Sequence, residues 1–147
     1  MKTFWLATVM VTLLLTGCEK ARLDEEVRRL CAKDGGIKVH ETVRLAPDKF
    51  DKFGNPVIPS KEKSKLEDEF FYEHELQYLK KGNPEIWRSS SRIVRRKDGK
   101  VMGESIRYTR RGGDVPSPMH DSSFTCPEAS SAQPNFEQSV FHKQQEK

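Results

Sequence analysis

This 147-residue sequence has only three cysteines, no internal repeat and no apolar run long enough to cross a membrane. A transmembrane helix needs about 20 consecutive apolar residues, whereas the longest uncharged apolar run here extends only from Phe4 to Leu15. Hydrophobic residues make up 35% of the chain and charged residues 33%. Such a composition fills one modest core and argues against two large domains.

The first eighteen residues have the layout of a secretory signal peptide. Lys2 supplies a positive head, the apolar run follows, and small residues lead to Cys18. The tetrapeptide Leu15-Thr16-Gly17-Cys18 resembles the lipobox of bacterial lipoproteins. That resemblance implies cleavage between Gly17 and Cys18, lipidation of Cys18, and anchoring in a lipid bilayer. An ordinary secreted protein with a coincidental cysteine is the alternative.

The two remaining cysteines, Cys31 and Cys126, predict a disulfide bond. Export would place the chain in an oxidising compartment, where an even number of leftover thiols is typical of a bridge. Two unpaired thiols are the alternative. A redox-active pair is disfavoured, because the sequence contains no Cys-x-x-Cys motif.

Hydrophobic periodicity predicts one helix and four strands in the exported part. Residues 19–33 favour a helix whose apolar side chains share one face, and Gly35-Gly36 predicts its end. The strands are predicted by alternating patterns over residues 37–45, 70–79, 86–96 and 100–110. The pair Asp98-Gly99 predicts a type I′ turn between the last two strands.

The loop over residues 46–59 contains two phenylalanines among proline and glycine breakers. We expect Phe50 and Phe53 to fold back onto the domain. A ligand loop that also uses Asp48 and Asp51 is the less favoured alternative.

The pattern as a whole predicts an α+β fold: an N-terminal helix packed on a small, about four-stranded antiparallel sheet, pinned by the disulfide. Residues 1–17 are predicted to be the signal peptide, and residues 18–127 a single domain anchored by lipidated Cys18. Residues 128–147 are rich in serine, glutamine and lysine, which predicts a flexible tail with at most one short helical turn.

Basic residues concentrate between Lys80 and Arg111, where eleven lysines and arginines face three acidic residues. Guanidinium groups on a sheet could bind phosphate or carboxylate groups. The candidate anion-binding residues are Arg88, Arg92, Arg96, Arg107 and Arg110. Cross-strand pairing with the acidic residues of strand 70–79 is the favoured alternative.

The sequence offers little for catalysis or for a cofactor. The four histidines have no metal-ligand spacing, and the free cysteines are assigned to a bridge, so we expect no metal. His120-Asp121-Ser122-Ser123 contains the residue types of a catalytic triad, but neighbours in sequence rarely converge as one. We therefore predict no catalytic residues and no cofactor.

The segment from Arg110 to Pro127 resembles small lipoproteins of Gram-negative bacteria, and that resemblance implies no activity. Glu19 after the lipidated cysteine resembles the default outer-membrane sorting pattern. We expect a non-enzymatic module, anchored in the outer membrane and facing the periplasm, that binds another envelope protein or an anionic envelope polymer. Nucleic acid is not an expected partner. The alternatives are an inhibitor of a secreted hydrolase and an envelope hydrolase acting on cell-wall polymers.

Overall fold

The computed structural model describes residues 19–114, 121–128 and 135–144. Gly17 and Cys18, the predicted cleavage and lipidation residues, lie outside these ranges. Helices and a mainly antiparallel sheet are both present, so the predicted α+β class is confirmed. No helix within the described ranges is long and apolar enough to cross a membrane.

The helices are α1 (residues 19–34) and α2 (Phe136–Val140). The strands are β1 (Gly36–Val39), β2 (Val43–Leu45), β3 (Phe70–Lys80), β4 (Glu85–Arg95), β5 (Lys100–Arg111), β6 (Ser123–Cys126) and β7 (Phe141–Lys143). A short 3-10 helix spans Pro47–Lys49.

The main sheet has five strands rather than the four expected. Its order is β1-β5-β4-β3, and β6 also pairs with β5. Strands β3, β4 and β5 agree with the prediction to within one residue at each end. Strand β6 is not among the predicted strands, because its four residues give no alternating pattern of useful length.

The prediction of one strand over residues 37–45 is wrong. The backbone amides of His40 and Glu41 both donate to the carbonyl of Met102, at 2.8 and 3.0 Å. This shared acceptor ends the pairing of β1 with β5. The chain then joins a second sheet, in which β2 pairs in parallel with β7.

The hairpin between β4 and β5 forms, but its turn is not type I′. Residues 96–99 make the turn, and Gly99 has φ +67° whereas Asp98 has a negative φ. A type I′ turn needs positive φ at both central residues. Three hydrogen bonds from Arg95 to the Asp98 carboxylate stabilise this turn and lower the pKa of Asp98 to about 2.

The chain divides into two compact units that interleave along the sequence. The first contains α1, residues 76–88 and residues 107–128, and the second contains residues 36–75, 89–106 and the C-terminal segment. Each long strand therefore contributes to both units.

In the first unit, the apolar stripe of α1 is buried as its periodicity predicts. Leu23 and Val27 are almost fully buried, and Cys31 lies one turn further along. Cys31 is bonded to Cys126 of β6 with a Cα–Cα distance of 5.9 Å. The predicted disulfide is thus confirmed, and it joins α1 to the strand that follows the Pro/Ser segment.

The second unit has a core that includes the C-terminal residues. Its buried members come from β3, β4, β5, α2 and β7, namely Phe70, Ile93, Met102, Phe136, Val140 and Phe141. The ring of Phe141 packs edge-on against Phe70 at 5.1 Å. A Cβ at Gly103 would lie 2.7 Å from the Val140 side chain, so glycine permits this close approach.

The short helical turn that the sequence allowed in the tail is present as α2, but the prediction of a flexible segment is wrong for residues 141–143, which form β7. Polar composition dominates the segment, but its three large apolar residues are spaced to enter one core. Burying each such side chain contributes about 1.5–3 kcal/mol. Asn135 also caps α2 by a reciprocal pair of hydrogen bonds with Gln138.

Candidate functional site

The five arginines proposed to bind anions do not form one open surface in either unit. In the first unit, Arg110 is 1% exposed and its Nε donates to Asp24 of α1 at 2.7 Å. Arg88 lies 3.7 Å from the carboxylate of Asp34, also on α1. Arg107 is exposed and has no ion pair among the described residues.

In the second unit, the two candidate arginines contact acceptors of the same chain. Arg92 pairs with Glu73 at 3.4 Å on the neighbouring strand, as the structural alternative anticipated. Arg96 follows the end of β4 and donates to the Asp68 carbonyl and the Ser64 hydroxyl. Anion binding by these residues stays a prediction, and an anion would have to compete with these contacts.

Arg110 serves as the centre of a buried polar network in the first unit. Its guanidinium also donates to the carbonyls of Gly112 and Ser122 and to the Ser122 hydroxyl. Asp114 accepts from the backbone and side chain of Ser122 and pairs with Lys20 at 2.6 Å. The hydrogen bond from the Lys20 ammonium is the largest of the causes that hold the pKa of Asp114 well below its usual range. These contacts give the segment from Arg110 to Asp114 a structural role.

A better candidate for recognition lies in the second unit, in the loop of residues 51–57, named here the Asp51 loop. The Asp51 carboxylate accepts hydrogen bonds from the backbone amides of Phe53 and Asn55 at 2.9 and 2.8 Å. It also accepts from the Asn55 side chain, and the Asp51 amide donates to the Asn55 carbonyl. One carboxylate therefore closes and fixes the loop.

The loop is fixed from its other side by α2. The side-chain oxygen of Asn55 accepts from Asn135 at 3.0 Å and from Gln138 at 3.1 Å. Asn135 and Gln138 are the two residues that cap α2, so one polar cluster joins the loop to the helix cap. This arrangement holds the loop backbone in one conformation.

Phe53 projects from this ordered loop and is 75% exposed. Its neighbour Val57 is 64% exposed, and the Lys52 ammonium lies 4.9 Å from the centre of the Phe53 ring. The expectation that both phenylalanines fold back is thus half right, since Phe50 packs against the core of its unit and Phe53 does not. The alternative of a ligand loop stays a prediction, and the Asp51 carboxylate is occupied by hydrogen bonds within its own loop.

A cleft of about 360 Å³ adjoins the Asp51 loop. Its lining combines apolar surface with amide, hydroxyl and carboxylate groups, contributed by Asn55, Pro56, Ile58, Ser60, Tyr72 and Glu137. The Tyr72 hydroxyl donates to Ser91 at 2.8 Å, which holds the ring in place. An exposed aromatic beside a shallow mixed cleft is suited to contact a complementary surface.

The carboxyl groups with altered pKa values are held in the charged form by their partners. Hydrogen bonds from Asn55 are the largest cause that lowers the pKa of Asp51, and Lys100 followed by Arg95 lowers that of Glu41. A general acid near neutral pH needs the opposite shift. Among the described residues, no group of three or more His, Cys, Asp or Glu side chains converges as a metal site would require.

The chain matches no protein-family model, and no curated protein and no solved structure is significantly similar to it.

Proposed function

We propose that this protein is a membrane-anchored periplasmic lipoprotein that binds another envelope protein through the Asp51 loop and performs no chemistry of its own. Lipidated Cys18 would anchor it in the outer membrane, with α1 starting at the next residue and covering part of the sheet. The observation that carries the proposal is Phe53, an exposed aromatic side chain on a loop ordered by its own hydrogen bonds.

Export is supported by two independent features of the sequence and the structure. The leader ends in Leu15-Thr16-Gly17-Cys18, and the two cysteines outside that motif form a disulfide. Disulfide bonds persist in the periplasm and are rare in the cytosol.

Binding is supported by the order of the Asp51 loop. Exposed aromatic side chains often dominate the affinity of protein interfaces, because they bury a large apolar area in a partner's pocket. A loop already in its bound conformation avoids much of the entropy that binding would otherwise cost. Phe53 meets both conditions, and the contacts of Asp51 and Asn55 provide the order.

Inhibition of a secreted hydrolase is the second candidate function. An ordered loop that projects one side chain is suited to enter the cleft of an enzyme, and such complexes change little on binding. The same loop would serve either role, so the identity of the bound protein distinguishes them. A partner that loses hydrolytic activity on binding would establish inhibition.

Phe53→Ser should weaken binding of the partner roughly thirty-fold, the loss expected for an interface hot spot of about 2 kcal/mol. The measurement is the affinity of purified protein for the envelope protein that co-purifies with it after chemical cross-linking. The unfolding midpoint should not change, because Phe53 is exposed.

Two further variants make this prediction specific. Asp51→Ala retains Phe53 but removes the carboxylate that orders the loop, and it should weaken binding as well. Leu66→Ser removes another exposed apolar side chain, 89% accessible, and should leave binding unchanged. Equal affinity of the Phe53→Ser variant and the natural protein would contradict the proposed site.

The order of the loop should also depend on pH. The pKa of Asp51 is lowered in the folded protein. The ionised Asp51 carboxylate therefore stabilises the loop fully at pH values above the ordinary pKa of a carboxyl group, and this stabilisation is lost as the pH falls through the lowered pKa. Binding should therefore persist at the mildly acidic pH at which an unperturbed carboxylate begins to protonate.

Cys18→Ser should abolish lipidation and membrane anchoring. The reason is that the thiol of Cys18 is the predicted attachment point, and no helix in the described part of the chain could span the bilayer instead. Fractionation of cells and mass spectrometry of the N-terminal peptide check this prediction. Normal anchoring of the variant, or an unmodified Cys18 in the natural protein, would contradict it.

A further inference from the structure

The first unit has a second exposed apolar surface, at the C-terminal end of β3. Leu76, Tyr78 and Leu79 are 47%, 46% and 44% exposed. The ring of Tyr78 lies 6.2 Å from that of Trp87 on β4, and the Lys81 ammonium lies 5.9 Å from the centre of the Tyr78 ring. We name Leu76 and Tyr78, which share one face of β3, together with Lys81 and Trp87 the β3-end surface; Leu79 lies on the opposite face of the strand.

This surface lies close to Glu19, the residue that follows Cys18 in the sequence. The Lys80 ammonium is 3.3 Å from the carboxylate of Glu19. The end of β3 is therefore held, by an ion pair within the same unit, to the residue that follows the predicted anchor.

Tyr78 lies close to this ion pair, because it precedes Lys80 by two residues, which is roughly 7 Å along a strand. An acylated Cys18 would therefore bring the end of β3 that carries Tyr78 and Trp87 close to the bilayer surface.

The side chains of the β3-end surface are of the types that favour the membrane–water interface. Tryptophan and tyrosine concentrate at membrane–water interfaces, where the ring is partly buried and its polar atom remains hydrated. Lysines close to the surface are attracted to anionic headgroups. Lys81 is exposed beside Tyr78, and Leu76, on the same face of β3 as Tyr78, adds apolar area that the adjacent acyl region would cover.

We infer that the β3-end surface rests on the anionic headgroups of the bilayer in which Cys18 is anchored, and so fixes the orientation of the first unit. This inference relies on the proposed lipidation of Cys18. The partner is the phospholipid surface itself, and the Asp51 loop takes no part in this contact.

Trp87 allows a direct test, because the only other tryptophan, Trp5, would be removed with the leader. Processed protein is purified from membranes and reconstituted in vesicles of phosphatidylcholine with or without phosphatidylglycerol. Lipids brominated at a shallow acyl position should reduce Trp87 fluorescence to about half or less, since the ring would lie at interfacial depth. The reduction should be greater when phosphatidylglycerol is present.

The double variant Leu76→Ser with Lys81→Glu should lose most of this quenching while remaining anchored. Lys97→Glu changes an exposed lysine of the β4–β5 turn and should behave like the natural protein. Equal fluorescence in brominated and unbrominated vesicles, with Cys18 acylated, would overturn the surface contact and leave the anchor intact. An unacylated Cys18 in the same sample, identified by mass, would overturn the anchor and the inference together.

Discussion

Loss of the disulfide bond between Cys31 and Cys126 should lower the free energy of unfolding by about 2–5 kcal/mol. The bond closes a loop of sequence separation 95, so it removes much of the conformational freedom of the unfolded chain. Small domains have a total stability of about 5–15 kcal/mol. With a core as modest as this one, the protein should become marginally stable.

The measurement is urea unfolding of the Cys31→Ala, Cys126→Ala double variant beside the natural protein. Unfolding of the natural protein in the presence of a reductant should give a similar loss. Ala32→Ser is the control, because it changes an exposed residue next to Cys31 on α1 and leaves the bond intact. Equal unfolding midpoints for oxidised and reduced protein would show that the bond contributes nothing to stability.

Arg110→Met should destabilise the protein by about 3–5 kcal/mol, the range expected when one partner of a buried ion pair is removed. Arg110 is 1% exposed, and its replacement would leave the Asp24 carboxylate without its partner. The carbonyls of Gly112 and Ser122 would lose their donor as well. Unpaired buried acceptors account for much of the expected loss.

Arg107→Met is a matched control on the same strand. Arg107 is exposed, so its replacement should change the free energy of unfolding by no more than about 0.5 kcal/mol. Urea unfolding compares the two variants. If Arg110→Met and Arg107→Met unfold at the same urea concentration, then the buried network does not stabilise the first unit.

The local sequence pattern was sufficient to predict those helices and strands whose hydrophobic periodicity lies within their own residues. Alternation predicts the long strands β3, β4 and β5, and one apolar stripe predicts α1. The disulfide follows from counting cysteines in an exported chain. The presence of a hairpin at Asp98-Gly99 is also local, although its turn type depends on Arg95.

The remaining features depend on contacts between residues far apart in the sequence. The tail becomes ordered because Phe136, Val140 and Phe141 enter a core formed by β3, β4 and β5. Arg110 has the same side chain as Arg107, yet only Arg110 meets a carboxylate of α1. Neither the hydrophobic periodicity nor the composition of the sequence distinguishes the two arginines, because the difference comes from the contact with α1.

The sequence predicts part of the candidate site. Asp51 followed by Gly54-Asn55 is a turn pattern, and an ordered turn leaves some of its side chains facing solvent. The sequence could not decide which phenylalanine would be exposed, because that depends on α2 contacting Asn55. The helix cap lies 80 residues further along the chain.

The central claim is that the Asp51 loop contacts another protein of the envelope. The most direct test replaces Phe53 with photoreactive p-benzoylphenylalanine in intact cells and analyses the irradiated envelope by mass spectrometry. We predict one predominant adduct with an envelope protein, which is lost when Asp51→Ala is added and is absent when the probe replaces Lys97. Irradiation that gives no adduct from position 53, or the same adducts from positions 53 and 97, would contradict the account.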